Sequence, residues 1–121
     1  LDFLPAVRKG FPWAAVENLF AKTGLPEEAI LTGLGIPKRT LDRRKSLRSP
    51  LKPIESEPVL RLARVFVTAQ RVLGNSDNAR EWLLAPLLAL GGKAPLELLD
   101  TGIGFQEVMD TLGRIEHGVY G

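Results

Sequence analysis

At 121 residues, 45% of them hydrophobic and 25% charged, the chain has the size and balance of one globular domain or two small ones sharing a core. It has no cysteine and one histidine, which excludes disulfides, thiolate metal sites and a cysteine nucleophile. Its net charge of +2 is unevenly spread: residues 1–54 hold ten Lys/Arg against five Asp/Glu and residues 55–121 six against nine, a polarity that predicts two partners, one of them anionic.

The chain starts on Leu1 rather than Met, so residues are expected to precede it, and its first 24 residues carry no recognisable motif. Apolar residues recur at helical spacing nearly throughout, and no period-two alternation marks a strand. Pro12 opens a first helix with a stripe of Val16, Leu19 and Phe20, ended by Gly24. Pro26 opens a second, with Glu27 and Glu28 against the positive end of its dipole and Gly33 and Gly35 stopping it. A third runs through "PKRTLDRRK" to about Lys45, with Leu41 as its only large apolar residue. "SLRSPLKPI" (46–54) reads as a linker.

The longest helix is expected from Ser56 or Glu57 to Leu73, stopped by Gly74. Arg61, Arg64, Thr68 and Arg71 form its polar face, read as solvated in preference to a second phosphate stripe. The rest is apolar round more than half the circumference, as in a central helix or a dimer contact. Ser76 is the expected cap of the next helix, which is bent or restarted at Pro86. Pro95 opens the short "PLELLD". In the last helix Phe105, Val108, Met109, Leu112 and Ile115 face inward, and Glu107, Asp110, Arg114 and His117 outward. The fold class is therefore all-α, with two helical subdomains split near residue 50: 1–54 and 55–121.

Residues 25–45 have the pattern of a helix-turn-helix: a short helix, a "GLGI" turn and a basic helix. Leu41 supplies the packing side; Lys38, Arg39, Thr40, Arg43, Arg44 and Lys45 are the candidate DNA-binding residues, with Arg reaching guanine edges or phosphates and Thr40 a phosphate or thymine methyl. Enzyme chemistry is poorly supplied. His117 has no second His or Cys with which to build a metal site, and neither "GLG" nor "GIG" has the form of a phosphate loop. No catalytic residue, metal or cofactor is assigned. Trp13 and Trp82 read as core.

The chain ends "RIEHGVYG" (114–121). Val119 and Tyr120 either cover the core, since Val119 continues the stripe from Ile115, or form a partner-facing tip in which Tyr120 is the interface anchor and Gly118 aims the tail outward. "AREWLLAPLLALGGKAPLELLDTGIGFQEVMDTLGRIEHGVYG" (79–121) resembles the C-terminal toxin-binding domain of the MbcA/ParS/Xre antitoxin family, on Trp82-Leu83 followed by Pro86, "GGKAPLELLDT" and the closing "RIEHGVYG". "GIPKRTLDRRKS" (35–46) looks like that family's Xre-type helix-turn-helix.

The resemblance implies an antitoxin of a bacterial type II module whose toxin is a RES-domain, NAD-consuming, ADP-ribosyltransferase-like protein. Residues 1–54 would bind operator DNA and repress the operon; residues 55–121 would dimerise and bind the toxin. The toxin-binding residues carried over are Arg114, Glu116, His117, Gly118, Val119, Tyr120 and Gly121. It further implies a homodimer within a toxin–antitoxin hetero-oligomer in the bacterial cytoplasm. No apolar run approaches the ~18 residues of a membrane span, and no signal peptide is visible. The competing expectations are a stand-alone helix-turn-helix regulator with a C-terminal dimerisation domain, and an adaptor that does not bind DNA.

Overall fold

The computed structural model describes residues 10–118. Among them are six α-helices and two short 3-10 turns: α1 (Trp13–Thr23), α2 (Glu27–Leu34), α3 (Lys38–Leu47), α4 (Pro53–Leu73), α5 (Ser76–Leu84), turns at Leu88–Leu90 and Pro95–Leu98, and α6 (Gly102–Glu116). No strand is present among these residues; Leu87 and Lys93 make one isolated antiparallel bridge.

The first three helices start alike. Pro12, Pro26 and Pro37 sit immediately before them with φ of −58°, −59° and −62°, close to the value that the proline ring fixes. Their missing N–H would have had no intrahelical partner there. Gly24 and Gly35 close α1 and α2 in the left-handed conformation, at φ +65° and +68°. After α2 the Ile36 N–H bonds back to the Leu31 carbonyl, which turns the chain into α3.

α4 is the central helix. Val59, Leu62, Val65 and Ala69 are fully buried, and α1, α2, α5 and α6 all pack against it. One hydrophobic cluster runs from Phe11, Val16 and Ile30 through Leu62 and Val65 to Leu99, Val108 and Leu112. The apolar circumference of α4 is thus largely buried inside the chain, as expected of a central helix; Ile54 and Val67 are the large hydrophobics it leaves exposed.

Several boundaries differ from the sequence expectation. α4 starts at Pro53, earlier than Ser56 or Glu57, because the Glu55 carboxylate accepts the N–H of Lys52, in the expected linker, at 2.8 Å and so caps the helix. Asn75, not Ser76, caps α5, its side-chain oxygen accepting from the Asn78 N–H at 2.8 Å. α5 ends at Leu84, and between Pro86 and α6 only 3-10 turns form. Gly33 does not stop α2. It is a packing glycine inside it: a Cβ there would lie 2.5 Å from the Leu96 carbonyl oxygen.

That close approach is one of several ties that hold the later elements to the rest of the chain. Arg80 Nε donates to the Thr23 carbonyl at 3.0 Å, capping the negative end of α1. Arg61 Nη1 donates to the carbonyls of Leu99 and Asp100 at 3.2 and 3.3 Å. Arg64 stacks over Phe105 at 5.2 Å from the ring centroid, and Arg71 pairs with Glu116. The arginine stripe of α4 is therefore neither a free phosphate stripe nor a simply solvated face; it is the polar seam along which residues 99–116 dock.

Candidate functional site

Two surfaces follow from this architecture. The first is α3, held across α2 by the three-residue turn Gly35-Ile36-Pro37. Leu34, Ile36 and Leu41 are buried and lock the turn to the core. Lys38, Arg39, Arg43 and Lys45 are exposed and Thr40 is half-buried. Lys38 Nζ and Asp42 Oδ2 form an i,i+4 pair at 3.0 Å. Asp42's hydrogen bond and then its charge raise the Lys38 pKa, so this lysine is fully cationic at neutral pH.

Arg44 departs from the expected exposed face. It is 8% exposed, because position 44 lies three residues after Leu41 and so on the inward side of the helix. Its Nε and Nη2 donate to Glu55 Oε1 and Oε2 at 3.1 and 3.2 Å, a two-pronged ion pair that fixes α3 on the first turn of α4. Burial alone would raise the Glu55 pKa, but the Arg44 hydrogen bond, the Lys52 N–H and the charges of both residues outweigh it and hold the carboxyl below its ordinary 4.5. Arg44 is thus the strut that aims the exposed cations. Sequence reasoning missed it because Glu55 lies eleven residues away, across two prolines.

α3 ends on Arg48, the only non-glycine residue with positive φ (+50°) among the described residues. Its side chain stays on the surface, adding a cation beyond Lys45. The surface so assembled is cationic and is tied to α4 through Arg44 and Glu55.

The second surface is the end of α6. Arg114 is half-buried and donates to Thr111 Oγ1 at 3.1 Å, back along its own helix. Glu116 is exposed and tied to Arg71 of α4. His117 caps the helix, its N–H bonded to the Gly113 carbonyl at 3.0 Å, and is exposed. Gly118 turns away at φ +72°. Val119, Tyr120 and Gly121 lie outside the described residues. Arg71 was not singled out from sequence as a support for this end, and no local pattern links it to a residue 45 positions on.

Among the described residues no group of His, Cys, Asp or Glu could hold a metal ion, and no helix is long and apolar enough to cross a membrane. The described residues thus present exposed cations on α3 and an exposed, ion-paired end of α6.

Comparison with known proteins matches this division. A family model described as the antitoxin Xre-like helix-turn-helix domain covers residues 2–64, and one described as the antitoxin Xre/MbcA/ParS C-terminal toxin-binding domain covers residues 68–118. The chain is 34% identical over 116 residues to "Antitoxin Xre" of Yersinia enterocolitica, spanning 95% of this chain and 78% of that one. It is 32% identical over 114 residues to "Antitoxin Xre" of Photorhabdus laumondii, spanning 93% and 77%. A third relative, the "Prs ADP-ribosylating antitoxin" of Sphingobium sp., is 28% identical over 129 residues, spanning 99% and 81%. With a helix-turn-helix seated on a toxin-binding helical half, and relatives similar along nearly its whole length, this chain belongs to the Xre/MbcA/ParS family of antitoxins.

Proposed function

We propose that this antitoxin neutralises a RES-domain, NAD-consuming toxin by covering its active site with the segment from Arg114 to Gly121, and that it binds operator DNA through α3 to repress its own operon. The observation that carries the first part is the end of α6: an exposed helix terminus, tethered to α4 through Arg71 and Glu116 and followed by Gly118 in the left-handed conformation. Tyr120 would bring apolar area to a foreign cleft, and Arg114, Glu116 and the terminal carboxylate polar contacts. The chain acts by occlusion and carries out no chemistry itself. Inhibition then depends on how slowly the tip leaves. The word "ADP-ribosylating" in the name of the Sphingobium relative agrees with a partner toxin of this chemistry.

For the second part, Lys38, Arg39, Thr40, Arg43 and Lys45 lie on the accessible side of α3 and supply the phosphate and base contacts, with Arg44 holding the helix in place. Helix-turn-helix repressors read paired half-sites as two-fold dimers, so a homodimer within a toxin–antitoxin hetero-oligomer, in the bacterial cytoplasm, is part of the proposal.

The test is NAD⁺ consumption by the purified toxin. The full chain should abolish it, a chain truncated after Gly118 should not, and Tyr120→Ala should inhibit poorly with its fold intact. Complete inhibition by the truncated chain refutes the occlusion mechanism.

A further inference from the structure

The toxin-binding stretch, residues 68–118, already spends part of its surface on the rest of the chain: Leu96 packs on Gly33, Arg80 reaches Thr23, and Leu99 and Asp100 receive Arg61. The end of α5 and the loop after it make none of these ties. There Leu88 is 98% exposed, more than any other large hydrophobic described.

Single exposed leucines are ordinary on protein surfaces. This one is presented by a pinned backbone. The Leu87 N–H donates to the Lys93 carbonyl at 3.1 Å, the Gly92 N–H to the Leu87 carbonyl at 2.8 Å and the Gly91 N–H to the Leu88 carbonyl at 3.0 Å. Gly91 and Gly92, at φ +69° and +82°, make the tight return possible, and the neighbouring Leu90 is buried and holds the turn to the core. Just before it in the chain, Leu84 is 39% exposed, and an open groove of about 360 Å³ is lined by Leu73, Trp82 and Ala85, with Asn78 and Glu81 among its lining residues. An apolar side chain on so fixed a turn loses little conformational freedom when a partner covers it.

We propose that Leu88, with the groove at the end of α5, is the affinity anchor for the cognate toxin: Leu88 enters an apolar recess on the toxin while the C-terminal tip does the occluding. This rests on the antitoxin reading above. The toxin is the occupant for two reasons. Leu88 and every residue lining the groove lie inside the stretch matched by the model described as toxin-binding. That stretch also carries seven Asp/Glu against four Lys/Arg, complementary to a partner whose active site receives an anionic dinucleotide.

The experiment uses the full chain and the toxin encoded beside it. Leu88→Asp should weaken the complex at least about thirtyfold in biolayer interferometry, the loss expected of a hot-spot residue, and chiefly through faster dissociation. At saturating concentration it should still abolish NAD⁺ consumption. Leu88→Met should bind within roughly threefold of the parent, since a volume-conserving apolar swap is well tolerated. The melting temperature of the free variant should be unchanged, because Leu88 is almost wholly in solvent.

Equal affinity of Leu88→Asp and the parent overturns the anchor while leaving the occlusion reading standing. Full inhibition by the chain truncated after Gly118 does the reverse. Should the free parent sediment as a dimer and Leu88→Asp as a monomer, the patch joins two antitoxins and the proposal is wrong. A parent chain that fails to bind this toxin overturns both.

Discussion

Replacing Arg44 with Met separates the strut from the DNA contact. In the native protein Arg44 and Glu55 side chains are only 10% and 16% exposed and share two hydrogen bonds. Removing one member of a buried pair costs about 3–5 kcal/mol, because the other charge is left uncompensated. Here Glu55 keeps the Lys52 N–H at 2.8 Å and some solvent, so the loss should fall near 2–3 kcal/mol at pH 7. At about 4 °C per kcal/mol for a chain of this length, the melting temperature drops by roughly 8–12 °C. The pH dependence follows from the lowered Glu55 pKa. Its stabilisation is complete above the ordinary value of 4.5 and is lost as pH falls through the lower folded value. The gap between parent and variant should therefore narrow on acidification below that range. Urea melts at neutral and acid pH measure it. A variant within 0.5 kcal/mol of the parent, on the order of an ordinary surface change, would refute the strut, as would a gap that does not change with pH; if Arg44 served DNA alone, only operator affinity would move.

The exposed cations should behave oppositely. Arg39→Ala and Arg43→Ala should leave the melting temperature unchanged, while each lowers the slope of log affinity against log salt in operator-shift assays by about 0.9 if it contacts one phosphate. Gly33→Ala forces a Cβ against the Leu96 carbonyl oxygen and should cost about 1–3 kcal/mol in urea melts, with no DNA-contacting residue altered. Leu62→Ala, at a fully buried site in the middle of α4, should cost about 2–5 kcal/mol by the same assay. Arg48→Gly keeps the left-handed backbone but removes the Cβ that disfavours it, and should raise stability by about 1 kcal/mol; no gain would mean that the strain is absent.

Much of the secondary structure could be read directly from the chain because its causes are local. A proline before a helix and a glycine after it act through their own φ, so Pro12, Pro26, Pro37, Gly24 and Gly35 marked the first three helices without reference to anything distant. The apolar stripe of α6 and the two-sided apolar character of α4 were legible for the same reason. The family resemblance was legible because its motifs are contiguous, and the matching models cover both halves.

Where a side chain's partner lies far along the chain, periodicity was silent or misleading. Among the six cations between Lys38 and Arg48, the spacing from Leu41 puts Arg44 on the inward side of α3, but only the tertiary structure supplied its partner, Glu55 of α4. A stripe of arginines on α4 looked merely solvated; Arg64 and Arg71 do stay exposed, but partners from 38, 41 and 45 residues away, Leu99, Phe105 and Glu116, lie beside it. Nor does any local rule show that Leu88 stays in water while Leu90, two residues later, is buried. Local backbone preference is carried by each residue, and so the chain alone determined its helices and their order. Burial and ion pairing belong to pairs of residues, and only the tertiary structure decided which cations face outward and which hold the molecule together.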